Sequence, residues 1–297
     1  VHLSEYELPS IIELSQQIAD IRSDALAKER DLADRIELTR QEEGFQYELL
    51  RGTGQALTTA VKDGLLRLGL ERVDDVNGDL REDLRIVDTS LSNKVLLAEV
   101  KGVGGLPADD DITQVAKYVP LCMKDEQCTE VGGITIINYE RHIPPLERSP
   151  QPFRQDILTS CESLGIGLLT TWDLFRLIRG IETLHWPPEV VKPLFDRVGR
   201  IAPVPIHYSR LGAIAKFYEQ AGAFQLDISE GTIRVGDTIA LALPTGYLEQ
   251  DVFSLRVDNT PAEHAEAGTQ VGVATTCTKE QARKGVVVYR VAHWQLD

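Results

Sequence analysis

No stretch of this sequence approaches the roughly 18 consecutive apolar residues of a membrane-spanning helix. Its opening, Val1-His2-Leu3-Ser4-Glu5, lacks the basic and then apolar order of a signal peptide. A cytoplasmic protein with no membrane partner is expected. Cysteine is scarce: Cys122, Cys128, Cys161 and Cys277 form no CxxC pair and stand at no zinc-ligand spacing from a His, so neither a structural zinc nor a disulfide framework is expected. Buried free thiols fit better. Basic residues are few, 31 Lys and Arg against 46 Asp and Glu, for a formal net charge of −15. That balance argues against a protein that coats nucleic acid non-specifically, because Lys and Arg contacts to phosphate supply most of such affinity. It leaves room for a nuclease, whose metal ligands are acidic and whose substrate can be held by a local basic rim or a partner subunit. There is no GxxxxGK[ST] phosphate loop, which argues against a GTPase. His142, His185, His207, His264 and His293 are scattered without a Ser or Cys nucleophile pattern, so a hydrolytic triad is not expected. The first residue is not Met, which leaves an upstream domain open.

What is present is enough apolar residue, 42% of 297, to bury a sizeable core in about two domains. Residues 9–43 contain no Gly and a single Pro at their start, and Ile11, Leu14, Ile18, Ile21 and Ala25 recur in alternating steps of three and four. This begins a heptad seam. Lys28 interrupts it, and Leu32 and Ile36 resume it. The expectation is a long amphipathic helix over 1–45 that either pairs two protomers or packs on its own domain. A second helix is predicted from Leu57 to Leu68, stopped by Gly69, then a segment from Arg72 with turn residues Asn77 and Gly78. Leu84–Val87 and Val95–Val100 read as a hairpin. A helix at Ile112, Val115, Ala116 and Val119 follows, then a buried strand at Gly133–Ile137 and a Pro-rich loop over 143–153. Arg141, Arg148 and Arg154, which surround the loop, read as solvated, or as a phosphate-binding rim. Next come a helix to about Ser163, a strand at Gly167–Thr170 and a helix ending near Gly180. This order is an α/β layer architecture over 46–200. Beyond Pro203 and Pro205, Gly residues at close intervals break β-rich runs, which predicts a small barrel or sandwich over 201–297. Gly52-Thr53-Gly54-Gln55-Ala56 lacks a preceding strand and a third Gly, so it reads as a helix break and not as a dinucleotide loop.

The chemistry-bearing stretch is Asp83-Leu84-Arg85-Ile86-Val87 and Leu97-Ala98-Glu99-Val100-Lys101. If the hairpin turns about Leu91, Asp83 and Glu99 are equidistant from the turn and antiparallel pairing sets them side by side. Glu99 and Lys101 share one strand face, while the rest of the strand is apolar on both. Two carboxylates at the end of a buried strand are costly unless a cation neutralises them, and Mg²⁺ takes such oxygen ligands.

Asp83 followed by Glu99-Val100-Lys101 resembles the PD-(D/E)XK signature of the restriction-endonuclease-like nuclease superfamily, and the order of elements agrees. The resemblance implies an α/β/α core in which Asp83 and Glu99 hold Mg²⁺ or Mn²⁺ and Lys101 aids the attacking water. It also implies that Gln114, on the following helix, stands beside the site. Where many members carry a Glu on the helix before the hairpin, this chain has Thr58; either Glu48 or Asp63 substitutes as an extra metal ligand, with Glu48 the one assigned, or the site works with one metal, or cleavage is impaired. The stretches Ala213–Tyr218, Gly231–Ile239, Val252–Asp258 and Ala267–Val273 resemble the β-barrel that follows the GTPase domain in translation factors such as elongation factor Tu. Together these imply a Mg²⁺-dependent endonuclease acting on DNA in restriction, phage defence or repair. Two other readings stay open: a nuclease fold that has lost activity and binds nucleic acid or protein, and an RNA-directed factor that uses the barrel.

Overall fold

The computed structural model describes residues 6–76 and 82–292, without the side chain of Glu126. The turn read at Asn77 and Gly78, and His293, lie outside them. Two units are distinguished, Val1–Gln46 and Tyr47–Asp297. In the first, Pro9 at the N-terminal turn and an unbroken run of helix formers give α1 (Pro9–Glu43), of which no residue is buried. The seam residues Ile11, Leu14, Ile18, Ile21, Leu32 and Ile36 are all exposed. Among the described residues no helix is long and apolar enough to cross a membrane.

The second unit begins within α2 (Phe45–Arg51), which Gly52 and Thr53 separate from α3 (Gly54–Arg67). A six-stranded sheet follows, with strands β1 (Arg72–Asp75), β2 (Leu84–Val87), β3 (Val95–Gly102), β4 (Val131–Asn138), β5 (Ile166–Thr170) and β6 (Gly199–Arg200) side by side in chain order. The first two joins are antiparallel and the rest parallel. β4 is buried along its whole length, as a central strand covered on both faces must be. On one face Leu97, Ile137 and Leu168 pack with Ile112, Val115, Ile157 and Cys161. These come from α4 (Asp109–Thr113), the 3₁₀ turn Gln114–Lys117 and α6 (Gln155–Leu164). α3 and α7 (Thr171–Leu184) pack on each other and on β3 to β5.

Three expectations need correction. The segment at Arg72 is a strand: β1 pairs with β2 through Val73↔Ile86, and only one of its four residues is buried, so it gave no apolar run to read. The helix at Ile112–Val119 is split, because Pro120 lacks the N–H that would continue it; α5 (Tyr118–Glu126) starts anew after the 3₁₀ turn. Gly180 does not end α7; a Cβ there would stand 2.1 Å from the Trp186 ring, so the glycine makes room for that indole.

The C-terminal strands are β7 (Tyr208–Tyr218), β8 (Ala223–Ile228), β9 (Thr232–Arg234), β10 (Thr238–Leu243), β11 (Gly246–Asp251), β12 (Leu255–Val257), β13 (Thr260–Ala262), β14 (His264–Glu266), β15 (Gln270–Ala274) and β16 (Val287–Val291). Eight form a sheet in the order β11-β10-β16-β7-β8-β15-β12-β13, and β9 pairs with β14. Among the described residues no strand pairing closes this sheet into a barrel. Its core is a single apolar cluster around Phe224, Leu226, Ile239, Leu241 and Val271. It meets the α/β layers along an aromatic seam: Trp186 stacks edge-on against Tyr208 at 5.5 Å and lies 5.5 Å from Tyr247, whose hydroxyl donates to the Pro203 carbonyl.

Candidate active site

The hairpin carries the register that Leu91 at its turn predicts, with Leu84↔Ala98 and Ile86↔Leu96. Asp88 fixes the turn: it is fully buried, bonded by the Ser90 and Glu71 amides and ion-paired with Lys192 at 2.9 Å. Asp83 stands one step before β2. Its N–H donates to the Ala98 carbonyl, and its Oδ2 accepts the Val100 N–H at 2.8 Å. Asp83 is therefore tied to the backbone on either side of Glu99, by its own N–H to Ala98 and by its carboxylate to Val100.

Glu99 is 2% exposed. Lys101 Nζ lies 2.7 Å from its Oε1, whereas Oε2 is buried with no hydrogen-bond partner. Burial pushes the Glu99 carboxyl above the usual carboxylate range; the bond from Lys101 opposes this, and the charges of Asp83 and Glu82 add to it. Burial pulls the Lys101 ammonium down, but the bond to Glu99 and the charges of Glu99, Asp83 and Asp111 outweigh it and leave the net shift upward. An orphaned buried carboxylate oxygen beside a second carboxylate is the donor chemistry that suits a hard divalent cation.

Among the described residues no group of three or more His, Cys, Asp or Glu is arranged to hold a metal. Two carboxylates completed by water and substrate oxygens remain a normal Mg²⁺ arrangement, since that ion retains several waters. Glu48 lies on α2, ion-paired with Arg51 at 3.1 Å. Its helix end crosses the exit of β3: a Cβ on Gly102 would meet the Gly52 carbonyl at 2.8 Å, and Thr53 Oγ1 donates to the Gly102 carbonyl. Thr58 is buried and turns its hydroxyl back onto the Gly54 carbonyl. The charges acting on Asp63 are Lys62 and Asp75, not the site carboxylates. Gln114 opens the 3₁₀ turn and donates through Nε2 to the Tyr118 hydroxyl at 2.9 Å. That turn packs on the Glu99 face of the sheet: a Cβ on Gly133, two residues from Thr135, the β4 partner of Glu99, would meet the Val115 side chain at 3.3 Å, and Thr135 donates to the Ile112 carbonyl of the preceding α4.

Sequence reasoning missed the buried strut beneath this site. Arg148 is 6% exposed and donates to the carbonyls of Ile143 and Leu50 and to Asn138 Oδ1, while Asn138 Nδ2 donates to the Gly52 carbonyl. It is no solvated loop residue, because its guanidinium holds α2 to the end of β4. Arg154 pairs with Asp156 in the open.

No family model and no curated protein sequence matches the chain. Solved structures give weak likenesses. The restriction endonuclease FokI matches at a TM-score of 0.38 and 15% identity, over 52% of this chain and 30% of FokI. A bacterial selenocysteine-specific elongation factor, EF-Sec, matches at 0.25 and 14%, over 54% of this chain and 26% of the factor. The elongation factor SelB of Methanococcus maripaludis matches at 0.24 and 14%, over 65% and 41%. These scores fix no activity. They accompany a mixed α/β chain with a long N-terminal helix and antiparallel strands.

Proposed function

We propose that this chain is a divalent-cation-dependent nuclease, acting on DNA through Asp83, Glu99 and Lys101. The observation that carries this reading is the buried Glu99 carboxylate, one oxygen on Lys101 and the other without a partner. Mg²⁺ or Mn²⁺ on the Asp83 and Glu99 carboxylates would supply Lewis-acid activation of water and phosphodiester. Lys101, held on the same strand face, orients the attacking water and offsets charge that grows on the phosphate. Gln114 positions Lys101 or the substrate, with Tyr118 fixing its amide.

The test is cleavage of labelled double-stranded DNA, single-stranded DNA and RNA with Mg²⁺ or Mn²⁺. Double-stranded DNA should be cut, and EDTA should stop it. Preference for RNA would favour the RNA-directed reading. No cutting of any substrate, with nucleic-acid binding intact, would favour the inactive binding module that Thr58 suggests.

The exposed α1 seam is proposed to pair two protomers, which would bring two sites to a duplex. Sedimentation equilibrium should give twice the 33.0 kDa chain mass, falling to one chain mass in Ile18→Glu. A wild-type monomer would end this part of the proposal.

A further inference from the structure

Building on the nuclease reading, the question is which cation holds the substrate. Lys101 is engaged by Glu99, Arg85 by the buried Glu82, Arg51 by Glu48, Arg154 by Asp156, and Arg148 by the core. Arg141 differs. It is half-buried, its side chain makes no hydrogen bond or ion pair among the described residues, and its Nε is buried without a partner. An uncommitted guanidinium in so acidic a chain is conspicuous, because exchanging water for no partner is unfavourable.

The backbone brings Arg141 to the site. Parallel strands β3 and β4 end together at Gly102↔Asn138. Beyond them the two exit loops are laced: Val103 N–H donates to the Asn138 carbonyl, Arg141 N–H to the Val103 carbonyl at 3.2 Å, and Glu140 N–H to the Gly105 carbonyl at 3.0 Å. Arg141 is thereby bonded to the residue two positions beyond Lys101. Glu140 adopts φ +45°, a left-handed conformation that a residue with a Cβ resists. Its carboxylate accepts the Ser149 N–H at 2.7 Å and holds that conformation in place. Strain retained in this way is concentrated at ligand-holding loops. The neighbouring His142 is exposed, and its ring lies 3.7 Å from where a Gly104 Cβ would be; a Cβ on Gly105 would face open space. The loop thus presents side-chain-free backbone beside two nitrogen-bearing side chains. It does so at the carboxyl ends of parallel strands, where α/β sheets bind ligands.

We propose that Arg141 and His142, with the Gly104-Gly105 backbone between them and Lys101, form the rim that holds a substrate phosphodiester next to the one cut. Arg141 supplies the fork that matches two phosphate oxygens, His142 a single donor, and the glycines let the nucleic-acid backbone approach closely.

The experiment is equilibrium binding of a fluorescent DNA duplex to the full chain at several salt concentrations, with Ca²⁺ replacing Mg²⁺. Arg141→Ala should weaken binding about tenfold and lower the slope of log affinity against log salt by about one, uniformly across sequences. Arg141→Lys should restore the slope but only part of the affinity. Exposed His142→Ala, with little risk to folding, should weaken binding two- to fivefold. Unchanged affinity and slope in both alanine variants, with wild-type cutting intact, would overturn the rim and leave the nuclease reading standing. A wild-type chain that neither binds nor cuts nucleic acid would remove the nuclease reading, and the rim with it.

Discussion

Lys101→Ala should cut nucleic acid about a hundred- to a thousandfold more slowly than the wild-type chain while remaining folded. Loss of a positioned cation aimed at developing charge has an effect of this order. The substitution also takes its ion-pair partner from Glu99, a residue 2% exposed. Breaking a fully buried pair costs about 3–5 kcal/mol. Lys101 keeps a third of its side chain in solvent, so about 2 kcal/mol is the expected loss at neutral pH.

The pH dependence distinguishes this cause from loss of packing. Glu99 has a folded pKa above its unfolded one, so its buried charge costs stability above that raised value and the cost fades as pH drops through it. With Lys101 gone, that relief on acidification should grow. In the wild-type chain the raised Lys101 pKa acts the other way round: the stabilisation is complete below the ordinary lysine range and is lost as pH rises through the folded value. Urea unfolding of both chains between mildly acidic and neutral pH checks the Glu99 effect. A variant as active as wild type, or one whose deficit does not shrink on acidification, would remove Lys101 from its role.

Arg148→Met should produce the largest stability loss away from the proposed metal-binding carboxylates, about 3 kcal/mol, because three acceptors around a buried guanidinium lose their donor at once. Two of these acceptors, the Leu50 carbonyl and Asn138 Oδ1, belong to α2 and the end of β4. Through Gly52 the same network fixes the helix end that crosses the exit of β3. Cutting should therefore fall even at temperatures where the variant is folded. Arg148→Lys should recover only part of the loss, since one ammonium cannot span acceptors arranged for a planar fork. Urea denaturation gives the number; a loss under 1 kcal/mol would mean that the strut contributes little.

How far this arrangement was legible in the sequence depends on the range of the interactions. The hairpin register followed from the positions of Asp83 and Glu99 about Leu91, because pairing across a short turn is local. The apolar runs at Ile134–Ile137 and Leu168–Leu169 announced buried parallel strands for the same reason. β1 was not legible: one buried residue in four and an exposed edge leave no alternation to read. Gly180 carried the signal of a helix end, yet its reason is Trp186, which the chain returns only after α7 has finished. Arg148 looked like any cation in a Pro-rich loop. Its burial depends on Asn138 at the end of the preceding strand and on Leu50, 98 residues away, and no local pattern encodes the second pairing. At the candidate site the orphaned Glu99 oxygen was implied by a carboxylate at the end of an apolar strand. The tie from Asp83 to the Val100 amide was not, since it depends on where β2 begins.

The proposed activity requires Asp83 and Glu99 to form the seat of a divalent cation. A titration of Mn²⁺ into the full chain, followed by electron paramagnetic resonance of the free ion, tests that seat without substrate. The wild-type chain should bind Mn²⁺ saturably, and its unfolding midpoint should rise with occupancy. Asp83→Asn and Glu99→Gln should lose both effects; without metal, Glu99→Gln should be no less stable than wild type at neutral pH, because the buried charge is gone. Wild-type protein that binds no Mn²⁺ at millimolar concentrations, or a Glu99→Gln chain that binds it as tightly as wild type, would contradict the assignment.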